Sequence, residues 1–483
     1  MRKAKIVCTI GPATDQLDTL ARLIEQGMNA ARLNFSHGTH ASHASAIKTI
    51  REAADQRRAP VSIIQDLQGP RIRVGEVADS GIVLKEQQSI RLQTVLARSG
   101  GQLGHQSVAG SPIQEIPVTY QHLARDVRPG ARILINDGLI ELKVEQISGG
   151  HLDCKVVVGG TITSHKGINL PGTRVSAPTL SDKDREDIRF GVTQGVDYVA
   201  LSFVRGPDDI RAAKQLIAAY GGSIPVIAKI ERQEAITCLD AILDEADGVM
   251  IARGDLGVEM GPEAVPLLQK RIIAEANRRR RLVITATQML ESMTQHLRPT
   301  RAEASDVANA VFDGTDALML SAETAIGAHP VETVQVMDRI IRAAEEGCEP
   351  GVVPRRQSDF GDMTLPEAIC TAASSAASAT KATAIVAFSE LGLTARLISK
   401  QRPAAPIIAF TPFEPVRRQM ALFWGVQPHT MQEIAQTDER VDEAERRLKT
   451  EGLVKSGERI VILSGTSIGK PGGTNLIKLQ EVE

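Results

Sequence analysis

The pattern of apolar and polar residues along the chain predicts a repeated unit, which consists of a strand, a polar segment directly after it, and a helix. Residues 4–10 form an apolar run that predicts a buried strand, and the dipeptide Gly11-Pro12 ends it. Residues 29–33 and 61–65 predict two further buried strands. Between the first two strands, apolar residues recur at helical spacing and predict one buried helix face: Leu17, Leu20, Leu23 and Ile24.

The pattern changes between residues 69 and 170. Short alternating stretches such as 133–135 and 140–144 predict β-strands, and Asn136-Asp137-Gly138 between them predicts a hairpin turn. Helical periodicity is almost missing there, so we expect an inserted β domain. The strand and helix order resumes at Ser181, which is placed to cap a helix.

Eight apolar strands lie outside the insertion, and eight βα units that close on one another form a TIM (β/α)8 barrel. From about residue 346, a helix rich in Ala and Ser and four further strands predict an open α/β domain. We therefore expect an α/β protein with a catalytic barrel at 1–68 and 171–345, a β insertion at 69–170 and a C-terminal domain at 346–483. The barrel strands are expected near Ile6, Ala31, Ile63, Val199, Ile227, Val249, Ile284 and Met319.

Charged side chains follow two neighbouring strands within residues 225–259. Lys229 and Glu231 alternate along one strand and point the same way past its end, and Arg253 and Asp255 follow the next strand. Two carboxylates beside a lysine would make a hard oxygen site for Mg²⁺ or Mn²⁺. The plainer interpretation is a solvated ion pair. Because α/β folds carry their sites at the carboxyl ends of strands, we favour the metal site.

The other predicted strand ends are also polar. The carboxyl ends of barrel strands meet on one face, so we expect their side chains to form one site. Besides the residues above, these ends carry Arg32, Asn34, Ser36, Asp66, Thr287, Gln288, Ser321 and Glu323.

Composition excludes several classes of function. The chain has 483 residues and a net charge of −2, which argues against nucleic acid as the main partner. No apolar run approaches the roughly 18 residues of a membrane span, and the N-terminus does not resemble a signal peptide. Five scattered cysteines without a C-x-x-C pair fit a reducing cytoplasm.

Seven long stretches resemble the pyruvate kinase family, bacterial type, and their order and spacing match that family from end to end. The resemblance implies phosphoryl transfer from phosphoenolpyruvate to ADP, giving pyruvate and ATP in the last step of glycolysis. It also implies a β-barrel-like lid for the insertion, a C-terminal regulatory domain and a cytoplasmic homotetramer. The stretches are KIVCTIGPAT (5–14), MNAARLNFSHG (28–38), KGINLPG (166–172), AKIERQEA (228–235), MIARGDLGVE (250–259), ATQMLESM (286–293) and LMLSAETAIGAHPVE (318–332).

The same resemblance implies how the reacting groups are held. Glu231 and Asp255 would bind the Mg²⁺ or Mn²⁺ ion, and Lys229 would stabilise the phosphoryl group during transfer. Arg32 and Arg73 would bind phosphate oxygens. Backbone N–H groups of residues 253–255 would bind the substrate carboxylate. The substrate-binding set is Arg32, Lys229, Gly254, Asp255 and Thr287, with Gly254 allowing close approach.

Further implied roles concern the proton and the nucleotide. Thr287, with Ser321 and Glu323 behind it, would guide a proton to the enolate carbon. The implied nucleotide-binding residues are Asn34, Ser36, His37, Arg73 and Lys166. The spacing of His37, His40 and His43 fits a metal site, but they are divided between a turn and a helix. We therefore expect no metal there and place His40 and His43 at the surface.

The segment after the third strand departs from the family members that need K⁺. Those members carry a Thr directly after the strand-three Asp and a Glu beyond the Gly-Pro, where this chain has Leu67 and Arg71. Arg71 would supply a permanent charge in place of the ion, as in the K⁺-independent branch, so K⁺ is not expected to be required. If a monovalent cation binds, its remaining ligands would be Asn34, Ser36 and Asp66.

The C-terminal domain carries a hydroxyl-rich turn at 389–394, where the family binds phosphorylated activators. Ser389, Thr394 and the start of the following helix can hold one phosphate, with Lys470 on the facing loop. Glu390 would repel a second phosphate. We therefore expect a sugar monophosphate or nucleotide monophosphate effector rather than fructose 1,6-bisphosphate.

Two other functions fit parts of the pattern. A metal-dependent aldolase or lyase also binds pyruvate-like enolates in a TIM barrel, but it needs neither the large insertion nor Lys229. A catalytically inactive sugar-phosphate sensor would keep the barrel as a scaffold. The presence of Lys229, Glu231, Asp255 and Thr287 argues against it.

Overall fold

The first part of the chain alternates strands and helices as its apolar pattern predicts. The structure is a computed structural model that describes residues 2–94, 113–347, 363–434, 436–465 and 473–483. The first elements are β1 (Lys5–Thr9), α1 (Leu17–Glu25), β2 (Met28–Asn34), α2 (His40–Gln56) and β3 (Ser62–Asp66).

An almost purely β segment follows, where the sequence predicts the insertion. Its elements are β4 (Ile82–Leu84), β5 (Ser89–Thr94), β6 (Gln114–Val118), α3 (Leu123–Asp126), β7 (Arg132–Ile135), β8 (Ile140–Ser148), β9 (His151–Val158), β10 (Gly160–Ile162) and β11 (Ile168–Asn169). Six strands form one sheet in the order β11-β7-β8-β9-β5-β6, and β10 pairs with β4. The predicted hairpin joins β7 to β8, and Asn136 and Asp137 have the positive φ angles, 56° and 55°, that such a turn needs.

The remaining strands of the barrel follow the insertion. Ser181 caps α4 as predicted, because its side chain accepts a hydrogen bond from the N–H of Asp184. The elements are α4 (Asp182–Gln194), β12 (Tyr198–Leu201), α5 (Pro207–Ala219), β13 (Val226–Ile230), α6 (Gln233–Thr237), α7 (Leu239–Glu245), β14 (Gly248–Ala252), α8 (Arg253–Met260), α9 (Val265–Arg278), β15 (Leu282–Ala286), a 3₁₀ helix (Glu291–Thr294), α10 (Arg301–Asp313), β16 (Ala317–Leu320), α11 (Ala322–Ala325) and α12 (Pro330–Gly347).

Eight parallel strands close into a barrel in the order β1-β16-β15-β14-β13-β12-β3-β2. The predicted TIM barrel is confirmed, with each strand at its expected place. None of the helices that the structure describes is long and apolar enough to cross a membrane.

The C-terminal domain is an open α/β sheet, as predicted. Its sheet order is β19-β18-β17-β20-β21, and the last strand, which is antiparallel, was not predicted. The exact domain boundaries stay predictions. The elements are α13 (Leu365–Thr380), β17 (Ala384–Phe388), α14 (Leu393–Lys400), β18 (Ile407–Thr411), α15 (Glu414–Met420), β19 (Val426–Thr430), α16 (Thr437–Thr450), β20 (Arg459–Gly465) and β21 (Thr474–Glu481).

The C-terminal domain packs against the amino end of the barrel. Asp197, directly before β12, pairs with Arg418 of α15 at 2.8 Å, and Asp316, directly before β16, pairs with Arg402 at 2.8 Å. The hydroxyl of Tyr198 donates to the carbonyl of residue 419 at 2.9 Å. Because this end is covered, the carboxyl ends of the strands remain for chemistry.

Candidate active site

Lys229 lies at the centre of the polar residues at the carboxyl end of the barrel. Its ammonium is 3.2 Å from Oδ1 of Asp66, at the end of β3, and 2.9 Å from Oε1 of Glu231, just beyond β13. It also donates to Oγ of Ser202 at 2.7 Å. Ser202 was not predicted as a site residue, although its place directly after a predicted barrel strand was a signal for it. Three neighbouring strand ends therefore fix one ammonium.

The charges around Lys229 keep it ionised. Burial alone would lower the pKa of Lys229, but the carboxylates of Asp66 and Glu231 raise it above its ordinary value. Burial would raise the pKa of Asp66, yet Lys229 and Arg32 hold it below its usual range. Arg32 donates to Asp66 at 2.6 Å and to the hydroxyl of Thr9 at 3.1 Å. The site thus presents two fixed cations, Arg32 and Lys229, to an anionic substrate.

The two expected metal ligands, Glu231 and Asp255, line the same cleft, and the charge of Lys229 acts on both. The second oxygen of Glu231 accepts a hydrogen bond from the N–H of Phe203 at 2.7 Å. Burial, followed by the charge of Glu231, raises the pKa of Asp255 to about 6. Such repulsion between buried carboxylates is what a divalent cation relieves, so the donor set fits a hard metal ion. No group of three or more metal-binding side chains occurs among the described residues.

Residues 253–255 follow strand β14, as expected, and helix α8 begins directly at Arg253. Asp255 therefore lies in the first turn of a helix. The guanidinium of Arg253 turns away from Asp255 and pairs with Asp306 of α10, with Nη1 at 2.7 Å from Oδ1.

Thr287 follows β15 beside α8. Its hydroxyl donates to the carbonyl of Ala286 at 2.7 Å and accepts a hydrogen bond from the N–H of Gly254 at 3.0 Å. One of the backbone donors expected for the substrate carboxylate is therefore used within the protein.

Ser321 and Glu323 lie directly after the carboxyl end of β16. The carboxylate of Glu323 is fully buried and accepts hydrogen bonds from the N–H groups of Ser321 at 2.6 Å and Leu290 at 3.1 Å. The hydroxyl of Ser321 is buried and has no hydrogen-bond partner among the described residues. In the part of the chain that the structure describes, no hydrogen bond joins either residue to Thr287, and their catalytic roles stay predictions.

The barrel residues surround one cleft, which continues toward the insertion. Arg71 lines both parts of this cleft, and its Nη2 is 3.5 Å from Oδ1 of Asp137 on the β7–β8 hairpin. The inner part is lined by Arg32, Asn34, Ser36, Asp66, Gln68, Arg71, Ser202, Phe203, Lys229, Glu231, Met250, Ala252, Asp255, Ala286, Thr287 and Met319.

Comparison with known proteins identifies the family. The profile described as "Pyruvate kinase, barrel domain" matches residues 1–334, and "Pyruvate kinase, alpha/beta domain" matches residues 367–480. The chain belongs to the pyruvate kinase family. A protein named pyruvate kinase 2 from Synechocystis sp. is 46% identical over all of this chain and 80% of its own length.

Other pyruvate kinases also match the whole of this chain. The pyruvate kinase of Clostridium perfringens is 40% identical over the whole of both chains, and that of Geobacillus stearothermophilus is 44% identical over all of this chain and 80% of its own. A crystal structure of a pyruvate kinase from Cryptosporidium parvum has a TM-score of 0.90 and 37% identity, and the match covers 100% of this chain and 96% of that chain.

Of the residues expected to bind the nucleotide of a pyruvate kinase, His37, Arg73 and Lys166 are not among the described residues that line the cleft. Arg73 and Lys166 instead lie together on the insertion, where Nη1 of Arg73 donates to the carbonyl of His165 at 2.9 Å and the N–H of Val74 donates to the carbonyl of Lys166. Their nucleotide roles stay predictions.

Of the other two histidines, one is exposed and the other is buried. His40 is exposed, as expected, and Nε2 lies 2.7 Å from Asp187. His43 is not a surface residue, because it is only 9% exposed and its ring stacks on Phe35 at 4.0 Å. Its Nε2 bonds to the carbonyl of His37 at 2.9 Å, so it supports the turn before α2.

A pocket in the C-terminal domain contains the expected effector residues. Ser389 and Thr394 line it, the latter with its hydroxyl 2.6 Å from that of Thr474. Arg440 of α16 lies in the same pocket and was missed, because nothing in the sequence connects it to residues 389–394. Lys470 lies outside the described residues.

Proposed function

We propose that the chain transfers the phosphoryl group of phosphoenolpyruvate to ADP and releases pyruvate and ATP, in the cytoplasm and as the last step of glycolysis. The bond between phosphorus and the enol oxygen breaks, and a bond to a terminal oxygen of ADP forms. The remaining enolate gains a proton at carbon 3. The observation that supports this proposal most directly is the position of the Lys229 ammonium, which is held between Asp66 and Glu231 in the cleft that Asp255 also lines.

Phosphoryl transfer depends mainly on positioning and on neutralising charge. Lys229 and Arg32 supply that charge from rigid strands, and their shared partner Asp66 holds both in place. Preorganised cations of this kind need no rearrangement as charge moves during the reaction. Arg73, on the insertion, would add a third cation when the insertion approaches the barrel.

Glu231 and Asp255 would hold a Mg²⁺ or Mn²⁺ ion. Burial and the charge of Glu231 raise the pKa of Asp255, and a divalent cation would relieve the repulsion between the two carboxylates. The oxygen donors of both residues fit such an ion. When bound, it neutralises substrate oxygens as a Lewis acid. Lys229 already contacts one oxygen of Glu231, so this carboxylate would be shared between the ammonium and the metal.

Thr287 would deliver the proton to carbon 3 of the enolate. The hydroxyl lies on the wall of the cleft that holds Lys229, and its orientation is set by Ala286 and Gly254. Glu323 supports the segment after β15 through the N–H of Leu290. Ser321 would extend the proton path, since its buried hydroxyl has no partner among the described groups.

Arg71 would take the place of a monovalent cation. It lines the inner cleft together with Asn34, Ser36 and Asp66, the residues that would otherwise hold such an ion. Leu67 is 1% exposed, and its side chain offers no oxygen. Activity is therefore proposed not to require K⁺.

The C-terminal pocket would bind an activator with one phosphate group. Arg440 offers one cation there, whereas Glu390 and Glu433 are two carboxylates that line the same pocket. Among the described residues that line this pocket, acidic groups outnumber basic ones, which disfavours the roughly four charges of a bisphosphate. We propose a sugar monophosphate or nucleotide monophosphate as the effector and a homotetramer as the assembly.

A coupled assay tests the central proposal. Pyruvate formation is followed from phosphoenolpyruvate and ADP, with and without Mg²⁺, in buffer free of K⁺. Activity that requires ADP and a divalent cation supports it. Failure to form pyruvate in the presence of both would refute it.

A further inference from the structure

The turn that carries Thr287 has an unusual backbone. Thr287 and Gln288 both lie in the left-handed region, with φ of 68° and 53°. A β-branched residue such as threonine rarely adopts this conformation. Two successive residues of this kind persist only where the surrounding structure imposes them. The question is which group imposes them here.

The guanidinium of Arg253 contacts three successive carbonyl groups of this turn. Nε donates to the carbonyl of Ala286 at 3.2 Å, and Nη2 donates to that of Thr287 at 2.7 Å and that of Gln288 at 3.3 Å. Only a planar fork with several donors can satisfy acceptors arranged in this way, so lysine would not replace it.

Asp306 anchors the other side of the guanidinium. Its Oδ1 accepts from Nη1 of Arg253 at 2.7 Å, and the side chain of Arg253 is only 10% exposed. A charged hydrogen bond from a largely buried guanidinium is strong and directional, although Asp306 itself is 36% exposed. The turn is therefore tied through Arg253 to helix α10, outside the barrel wall.

The same contacts set the direction of the Thr287 hydroxyl. This hydroxyl donates to the carbonyl of Ala286, which Arg253 also contacts, and it accepts from the N–H of Gly254, the next residue in the chain after Arg253. A shift of Arg253 would thus move both partners of the hydroxyl together.

We propose that Arg253 is a positioning residue for proton delivery: its guanidinium holds the turn at 287–288 so that the Thr287 hydroxyl faces carbon 3 of the enolate. This inference rests on the role proposed above for Thr287. It does not assign Arg253 any contact with substrate through its side chain.

A double-mutant cycle with Arg253→Lys and Thr287→Val tests this proposal. The readout is deuterium incorporation into the methyl group of pyruvate, followed by proton NMR in D₂O with Mg²⁺ and ATP. This exchange needs proton transfer at carbon 3 but no net phosphoryl transfer. Since small displacements of reacting groups cost about 10²-fold, Arg253→Lys should slow exchange by roughly 10- to 100-fold. In the Thr287→Val background, the same change should alter exchange by less than about threefold.

Steady-state kinetics in the forward direction give a second readout. Arg253→Lys should lower kcat while the KM for phosphoenolpyruvate stays within about threefold, since the lost interaction acts in the reaction and not in binding. A raised KM with an unchanged kcat would refute the proposal. It would indicate instead that Arg253 acts in binding the substrate carboxylate at the start of α8.

Arg281→Lys is the matched control. Arg281 lies at the other end of β15 and donates to the carbonyls of Leu243 at 2.8 Å and Asp244 at 2.7 Å. Its replacement should lower the melting temperature, but the ratio of the exchange rate to kcat should stay at the wild-type value. If both arginine variants slow exchange equally, Arg253 has only a structural role and the proposal is wrong.

The remaining outcomes separate this inference from the proposed function. If Thr287→Val exchanges at the wild-type rate, Thr287 is not the proton donor, and the proposed roles of Thr287 and Arg253 both fail, whereas the proposed phosphoryl transfer is decided separately by the coupled assay. If Thr287→Val is slow but Arg253→Lys is not, only the role of Arg253 fails. Asp306→Asn, which keeps Arg253 but weakens its anchor, should slow exchange in the same direction by a smaller factor, and it covers the case in which Arg253→Lys does not fold.

Discussion

The ammonium of Lys229 lies 3.2 Å from the carboxylate of Asp66, although 163 positions separate the two residues in the chain. Asp66 ends β3 and Lys229 lies in β13, and β12 separates these strands in the barrel. Because two carboxylates raise the pKa of Lys229, the residue stays a cation and cannot act as an acid. Its contribution is fixed charge.

Replacing Lys229 with alanine removes that charge from the cleft. If it acts mainly in the transition state, kcat should fall by at least about 10²–10³-fold with little change in KM. Steady-state assays measure both constants, and circular dichroism checks that the variant folds. Lys214→Ala, which removes a partly exposed ion pair with Asp247, is the control and should keep wild-type kcat. More than a tenth of wild-type kcat in Lys229→Ala would contradict this role.

Arg71→Glu should create a requirement for K⁺. The wild type is expected to be nearly fully active without K⁺, because Arg71 supplies a permanent positive charge beside Asp66 in the cleft. The variant should be activated severalfold by KCl and not by an equal concentration of a large organic cation. Asp137→Asn breaks the pair with Arg71 but keeps the arginine, so it should stay independent of K⁺. Strong K⁺ activation of the wild type would contradict the prediction.

The effector prediction is tested by titration at sub-saturating phosphoenolpyruvate. A sugar monophosphate or nucleotide monophosphate should lower the half-saturating substrate concentration more than fructose 1,6-bisphosphate does. Arg440→Met should weaken activation because Arg440 lines the pocket, whereas Arg446→Met, on the exposed side of the same helix, should not. A sharper response to the bisphosphate would show that the interpretation of Glu390 is wrong.

Asp316 should matter for the stability of the contact between the barrel and the C-terminal domain. It is 1% exposed and pairs with both Lys400 and Arg402. Asp316→Asn would remove the negative charge that offsets two buried cations, Lys400 and Arg402, and should lower the free energy of unfolding by about 3–5 kcal/mol in urea titrations. Asp313→Asn, which loses a pair with the exposed Lys270, should cost less than about 1 kcal/mol. Equal losses in the two variants would contradict the prediction.

The burial of Lys5 at the same contact predicts that the stability of the protein depends on pH. Its ammonium is buried and donates to the carbonyl of Val426 at 2.7 Å. Burial, with a smaller effect of Arg2 and against that of Glu345, lowers the pKa of Lys5 to about 7. The lysine of an unfolded chain keeps its proton up to about pH 10, so the unfolded state binds more protons between these values. The contribution of Lys5 to stability therefore rises with pH across this range and is lost as pH falls toward 7.

Lys5→Met should remove this slope. The variant should gain stability relative to the wild type near pH 7, and the difference should shrink toward pH 9.5, in melting curves measured at both values. Lys3→Met is the control, since Lys3 also donates to carbonyls of the C-terminal domain but from a less buried place. A difference that stays constant with pH would contradict the assignment.

The sequence by itself determined the order of the elements and much of the site. Strand and helix periodicity is local, so the eight barrel strands, the β insertion and four of the five described strands of the C-terminal sheet could be predicted from apolar spacing. The pairing of Lys229 with Glu231 was also predictable, because residues two apart on a strand share one face. Resemblance to a known family supplied the roles of these residues.

Tertiary structure alone decided which distant side chains meet. The contacts of Lys229 with Asp66 and Ser202 depend on how β3, β12 and β13 align when the barrel closes, and no local pattern records that register. The burial of His43 and the place of Arg440 in the C-terminal pocket depend likewise on packing between separate elements. Such contacts form between residues far apart in the chain, so their geometry is fixed only when the whole fold is packed.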